Sequence, residues 1–409
     1  MLNKNNEREL AYVVIVDAVT PIEGYDRVEL AHVGGWTIVV GKGEFHAGDP
    51  AIYFEIDSKL PEVEPFINME FLAKKHYKIK TQKMCRVLSQ GLLMSAANFG
   101  WQIIEGDNCA IVDNEGNYHR VDDESRFLTK QLGITYAVAE DNKRKASNNP
   151  NAKINSALAR HPKIAKKYGK FIKNHKFVKW LFLLMCDDRR DKKSDWPAWV
   201  KKTDEERIQN VPWILNDKEP WVATEKIDGS STTFTMKRGK WPHKDEFYVC
   251  SRNVVFDKPD KTCFYDTNVY IEMAEKYDIY NKMKDLLYNH FADCEWITIQ
   301  GETYGPGIQK RDYHAPEHDF MAFNFITSKD GRWGTEKMVD LLQKHIGIPC
   351  VPVLNTNFIL PDTVEELLAY ATAESVCDHD LREGIVFRSK DGSKSFKAVS
   401  NEYLLKYHQ

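Results

Sequence analysis

Between residues 9 and 112 the apolar positions come in short bursts rather than at helical spacing. The segments AYVVIVDAV (11–19), RVELAHV (27–33), WTIVV (36–40), AIYFEI (51–56) and KMCRVL (83–88) are rich in Val, Ile, Tyr and Phe. Turn-like PIEGYD, GG and KGEFHAGDP separate them, so each burst predicts a strand. Five or so short strands with no long helical pattern predict a small β-barrel, of OB or SH3-like type. The stretch HYKIKTQKMCRVLSQGLLMS (76–95) sets Lys78, Lys80, Lys83 and Arg86 on or beside strands. Those cations suit a phosphate backbone, and they suit an ordinary solvated face equally well.

The pattern changes twice more. Residues 141–180 hold twelve Lys or Arg and one acid, Asp141, a local net charge of +11. Within them Lys163, Lys166, Lys167, Lys170, Lys173, Lys176 and Lys179 recur every three or four residues, one face of a helix that Gly169 can divide. Such a stripe matches the charge of a nucleic acid, or serves solubility alone. The run DDRRDKKSDWPAW (187–199) reads as an exposed connector. From 200 onward apolar strands alternate with amphipathic helices. NVYIEMAEKYDIYNKMKDLL, TEKMVDLLQKH and TVEELLAYATA are helical, whereas EWITIQGETYG, DFMAFNFIT and GIVFRS are strands. This predicts an α+β fold with antiparallel sheets over 200–409, after a barrel over 1–115 and a basic helical linker or insert over 116–199.

Bulk properties narrow the class. The 409 residues are 42% hydrophobic and 29% charged, with a formal net charge of −3, the make-up of a soluble globular chain of two or three domains. The start MLNKNNERELAYVV has no secretory pattern, and WLFLLMC (180–186) is far shorter than the roughly 20 residues that span a bilayer. A soluble, cytoplasmic or otherwise intracellular protein without a membrane partner is expected. Eight scattered cysteines without a CxxC pair point to neither zinc nor a disulfide framework.

Candidate chemistry gathers after residue 200. In Glu225-Lys226-Ile227-Asp228-Gly229 a lysine ends an apolar strand and an aspartate follows two residues on, so both can face one pocket. Lysine is a covalent nucleophile only when neutral, so this reading requires positive neighbours or desolvation to favour the free amine. Alone, the motif reads as a surface turn. Arg252 ends FYVCSRN, with a guanidinium fork suited to phosphate. Glu302 in QGETYGPG and Glu383 in REGIVFRS stand at strand ends beside glycines, and Lys397 lies on the last strand, SFKAVS. Each glutamate alone could equally pair with a basic neighbour at a sheet rim.

Taken in this order, KIDG, QGETYG, DFMAFNF, EGIVFR and SFKAVS resemble the motifs of the covalent nucleotidyltransferase superfamily of polynucleotide ligases and capping enzymes. Within it, KTDEERIQN (202–210) and SFKAVSNEYLLK (395–406) look closest to ATP-dependent RNA ligases of the Deinococcus type, which join an N-terminal OB module to a nucleotidyltransferase (ATP-grasp-like ligase) domain. The resemblance implies that Lys226 takes AMP from ATP, that AMP passes to a 5′-phosphate end, and that a 3′-OH end then displaces it. It implies Asp228, Arg252 and Glu302 lining the site, Arg252 on phosphate and Glu302 on ribose. Phe323 would stack on adenine, with Phe325 as the alternative. Glu383 would bind Mg2+ or Mn2+, Lys397 would contact the α-phosphate, and Glu225 and Arg207 would contact ATP. The implied partner is RNA, or an RNA-containing duplex with 3′-OH and 5′-phosphate ends, and the expected state is a monomer. Ser395 stands where many relatives carry a second lysine, and Lys394 is one residue out of register. A DNA ligase, a capping-type guanylyltransferase and a non-catalytic RNA-binding protein are the competing readings.

Overall fold

The computed structural model describes residues 1–104, 110–137, 196–202, 204–240, 242–256 and 268–407, with isolated positions between 168 and 178. Two compact units result, residues 1–135 with 196–409 and residues 136–195. In the second, the Phe171 and His175 rings meet at 4.1 Å one helical turn apart. The lysine stripe of 163–179 lies outside the described residues.

The first unit opens with the expected strands, and two of the predicted runs are split. AYVVIVDAV divides into β1 (Ala11–Ile15) and β2 (Ala18–Ile22). β2 pairs with β3 (Tyr25–Val33), which pairs in turn with β4 (Trp36–Gly41), whereas β1 pairs with β5 (Pro50–Phe54). KMCRVL is a hairpin of β6 (Gln82–Met84) and β7 (Val87–Ser89). Cys85 and Arg86 both turn with positive φ, 51° and 67°, so the chain reverses where a continuous strand was expected. β8 (Leu92–Met94) completes the β1-β5-β8 sheet.

β1 and β5 are buried on both faces, which is why their sequences are apolar without alternation. Ala11, Val13, Ile52 and Phe54 enter one core, and Tyr12, Val14, Ala51 and Tyr53 enter another that includes Trp36 and Ile38.

After residue 220 two antiparallel sheets carry the fold. β9 (Trp221–Glu225), β10 (Ser230–Lys237) and β11 (Glu246–Ser251) come first. The predicted helix NVYIEMAEKYDIYNKMKDLL then runs as α1 (Val269–Lys276) and α2 (Ile279–Asp285), broken where Asp278 takes φ 48°. β12 (Trp296–Tyr304), β13 (Asp319–Thr327), β14 (Val353–Phe358), α3 (Val364–Ala371), β15 (Gly384–Ser389), β16 (Ser395–Val399) and α4 (Asn401–Tyr407) follow.

The larger sheet centres on β11-β10-β12-β13, with short strands Val255–Phe256 and Gly331–Arg332 at its edges. The smaller runs β14-β9-β15-β16. Phe234, Ile297, Ile299 and Phe325 of the larger sheet pack on Met273 and Met283 of α1 and α2. Trp221, Phe387 and Phe396 of the smaller pack on Leu367 of α3. Among the described residues, no helix is long and apolar enough to cross a membrane.

Candidate active site

The cleft forms where strand ends from both sheets converge. β9 ends at Glu225, and Lys226 leaves it with its backbone N–H bonded to the Gly384 carbonyl, 3.0 Å away. That bond brings Glu383, the residue before β15, beside the lysine, whose Nζ donates to Glu383 Oε2 at 2.7 Å. Gly384 permits this approach, because a Cβ there would stand 2.2 Å from the Ala398 carbonyl oxygen. Gly229 does the same for the turn that follows Lys226, where a Cβ would stand 2.4 Å from the Thr303 carbonyl oxygen on β12. Register Ser231↔Glu302 then puts Glu302 across from the start of β10.

Lys226, Glu302, Glu383, Lys397, Arg252, Phe323, Arg207 and Glu225 all line one cleft of about 360 Å³, within the size range of small-molecule sites. Asp228 is placed differently. It is buried behind the cleft wall, its Oδ2 accepting from the Tyr403 hydroxyl of α4 at 2.8 Å and its N–H donating to the Tyr313 hydroxyl at 2.7 Å. Its charge still reaches Lys226 and Glu302 through the buried surroundings. The Glu225 carboxylate is also engaged, accepting from the Ser375 hydroxyl and, at 2.9 Å, from the Val376 N–H.

Phe323 and Phe325, two residues apart on one strand, would face the same way if the strand were regular, but they face opposite ways. The β12–β13 register steps from Gln300↔Asn324 to Gly301↔Ala322, so Phe323 is the extra residue of a bulge. Phe325 is sealed in the core against Phe291 and Trp333, and Phe323 turns into the cleft.

The charge state of Lys226 departs from the expected neutral amine. Burial alone would depress its pKa, but Glu383 and then Glu302 outweigh burial and hold it above the usual lysine value. Burial, reinforced by Glu383, pushes the Glu302 carboxyl up to about 8 despite the opposing pull of Lys226. Lys397 is shifted the other way, lowered by burial while Asp204 partly restores it.

Four residues were missed in the sequence. Asp204 bridges two of the proposed phosphate-binding cations, accepting from Arg252 and, at 3.1 Å, from Lys397 Nζ. Arg388, at the end of β15, is buried in the cleft with its guanidinium 5.9 Å from the Phe323 ring centre. Glu205 pairs with Arg388 at 3.3 Å and with Arg332 at 3.2 Å. Tyr403 pins Asp228. Arg388 stood inside the quoted EGIVFR motif, and Asp204 and Glu205 inside KTDEERIQN, but their role depends on partners over 40 residues away in sequence. Lys394 Nζ, by contrast, pairs with Asp217 at 2.7 Å, as its out-of-register position suggested.

Five cations and five carboxylates therefore line the cleft. A polyphosphate entering this near-balanced site must take cations from Asp204, Glu205 and Glu383, or arrive with a metal. A lysine on a strand end, beside two carboxylates and backed by an aromatic ring and further cations, is equipped for nucleotidyl transfer.

Comparison with known proteins decides the class, since residues 219–408 match the family model described as RNA ligase. Residues 219–408 are an RNA ligase domain. A second family model, described as an OB-fold domain, matches residues 10–96, which selects OB over the SH3-like alternative for the barrel. The ligase domain and the barrel together resemble the RNA ligase of Naegleria gruberi. Its structure with PPi shares 26% identity and a TM-score of 0.61, with 98% of this chain and 99% of that chain covered. A variant of that ligase with AMP and Mn gives 26% and 0.62, covering 98% and 99%. Another, with ATP and Mn, gives 25% and 0.62 over the same shares. No curated protein matches the chain.

Proposed function

We propose that this chain is an ATP-dependent RNA ligase that joins 3′-OH and 5′-phosphate ends, acting as a monomer on nicks in duplexes with RNA on the 3′-OH side. The carrying observation is the convergence of Lys226, Glu302, Glu383 and Lys397 with Phe323 on one nucleotide-sized cleft. Lys226 Nζ attacks the α-phosphorus of ATP, forming the N–P bond as the bond to pyrophosphate breaks. The proton that the ammonium must give up lies already in a hydrogen bond to Glu383 Oε2, which is placed to take it. Lys397, Arg252 and Arg207 neutralise the phosphate oxygens, the main demand of phosphoryl-type transfer. Phe323, with Arg388 over its ring, stacks on adenine. Glu302 meets the ribose, where its carboxyl, pushed up to about 8, can donate as well as accept. AMP then moves to the 5′-phosphate, and the 3′-OH displaces it.

Mg2+ or Mn2+ fits this donor set. Among the described residues no cluster of three or more His, Cys, Asp or Glu side chains is ready for a metal. These ions, however, are commonly held by one or two carboxylates with phosphate oxygens and water. Glu383 would supply a carboxylate oxygen, with Glu302 beside it. When bound, the ion would add positive charge beside Lys226 and weaken the hold of the carboxylates on its proton.

The domain assignment is an OB module over 1–115, a basic insert over 116–199 that contacts nucleic acid, and the nucleotidyltransferase over 200–409. The Deinococcus-type likeness of 202–210 and 395–406 supports nick repair as the setting. The test is sealing of nicked duplexes that differ only in the sugars on the 3′-OH side. Faster sealing of the RNA strand, by about tenfold or more, is expected, and equal or faster sealing of the DNA strand contradicts the assignment.

A further inference from the structure

The N-terminal barrel reaches the cleft through a column of aromatic rings that ends on a cation. Tyr12 meets Tyr53 edge-on at 5.5 Å, and Tyr53 stacks on Trp36 at 6.4 Å. The Arg207 guanidinium lies 5.7 Å from the Trp36 ring centre. Tyr53 is anchored in turn, its hydroxyl donating to the Gln90 carbonyl at 2.6 Å. On the other side Arg207 lines the cleft, bridges Lys397 through the backbone, and carries a buried Nη1 with no hydrogen-bond partner among the described residues. A buried guanidinium N–H left unpaired is costly, and an incoming anion would satisfy it.

The seam around this contact is tight. Gln209 donates to the Gly35 carbonyl at 3.4 Å, and the Leu2 N–H donates to the Asn210 carbonyl at 3.0 Å. A Cβ on Gly35 would stand 2.4 Å from Val364 of α3.

We propose that Trp36 is a positioning residue for nucleotide binding, its indole face holding Arg207 aimed at the phosphates. This rests on the reading above that Arg207 meets ATP. A flat π-face suits the task, because it fixes a guanidinium without neutralising it, as a carboxylate would. The Arg207 charge stays available to phosphate.

The test uses the full chain and measures self-labelling with ATP. Fluorinated tryptophans introduced at position 36 keep the ring's shape while weakening its attraction for a cation. KM for ATP should climb stepwise with fluorine number, while kcat changes little. Trp36→Leu should raise KM roughly 3- to 30-fold, the span of a partly desolvated cation–π contact. Trp36→Phe should fall between Leu and wild type. Arg207→Gln should raise KM as well, and Trp36→Leu combined with Arg207→Gln should add little to either alone. A KM indifferent to fluorination, or additive effects in the double variant, overturns the inference while the ligase reading stands. A wild-type chain that never acquires covalent nucleotide overturns the reading instead.

Discussion

At the scale of single residues, Lys226 is held in its charged form. Glu383 and Glu302 keep the proton on it despite burial, and Glu383 is also the residue positioned to accept that proton. Self-adenylation should therefore rise as pH increases through the alkaline range. The measurement is the single-turnover rate with saturating ATP and metal, and a flat profile contradicts it. Glu302 gives a separate signature. Its carboxyl moves from an ordinary 4.5 to about 8 on folding, so between those values the folded chain keeps a proton that the unfolded chain has released. Stability from this group is complete below the lower value and lost as pH rises through the upper one. Thermal melts of the unliganded protein from about pH 5 to about pH 9 should show that decline, and Glu302→Gln should flatten it.

Lys226, Glu302, Glu383 and Lys397 were legible because each stands at a strand end or in a motif that sequence alone displays. Asp204 was not. It lies within KTDEERIQN, but nothing local shows its role, since its partners Arg252 and Lys397 lie 48 and 193 residues away. Asp228 was found, but its burial against Tyr403 depends on a helix that closes only at the end of the chain.

At the scale of elements, the bulge in β13 separates two phenylalanines that a regular strand would have kept together. Phe325 is fully buried, so Phe325→Ala should destabilise the fold by about 3–5 kcal/mol. Phe323 lines the cleft, so Phe323→Ala should leave stability within about 1 kcal/mol and raise KM for ATP about tenfold, as expected when a stacking partner is removed. Denaturant unfolding and ATP titration of both variants check this, and a reversed pattern refutes the bulge assignment. Period-2 and period-3.6 patterns revealed most strands and helices. They could not reveal the bulge, the break at Asp278 or the Cys85-Arg86 reversal, which reflect positive φ or pairing with a distant strand.

At the scale of the whole molecule, the formal charge of −3 conceals the +11 of residues 141–180. If that segment binds nucleic acid, its deletion should reduce the slope of log affinity against log salt concentration by roughly 0.7–0.9 for every phosphate it no longer neutralises. An unchanged slope assigns the stripe to solubility. The packing of the OB module on the ligase domain was not legible, because Trp36 and Arg207 belong to separate patterns with 170 residues between them. The central claim concerns covalent chemistry at one amine. Incubation with α-labelled ATP or GTP and manganese, followed by a denaturing gel and peptide mapping, addresses it directly. The expected result is AMP attached to the peptide bearing Lys226, from ATP only, and absent in Lys226→Ala. Label on another residue, label from GTP in preference to ATP, or an adduct that survives in Lys226→Ala would contradict it.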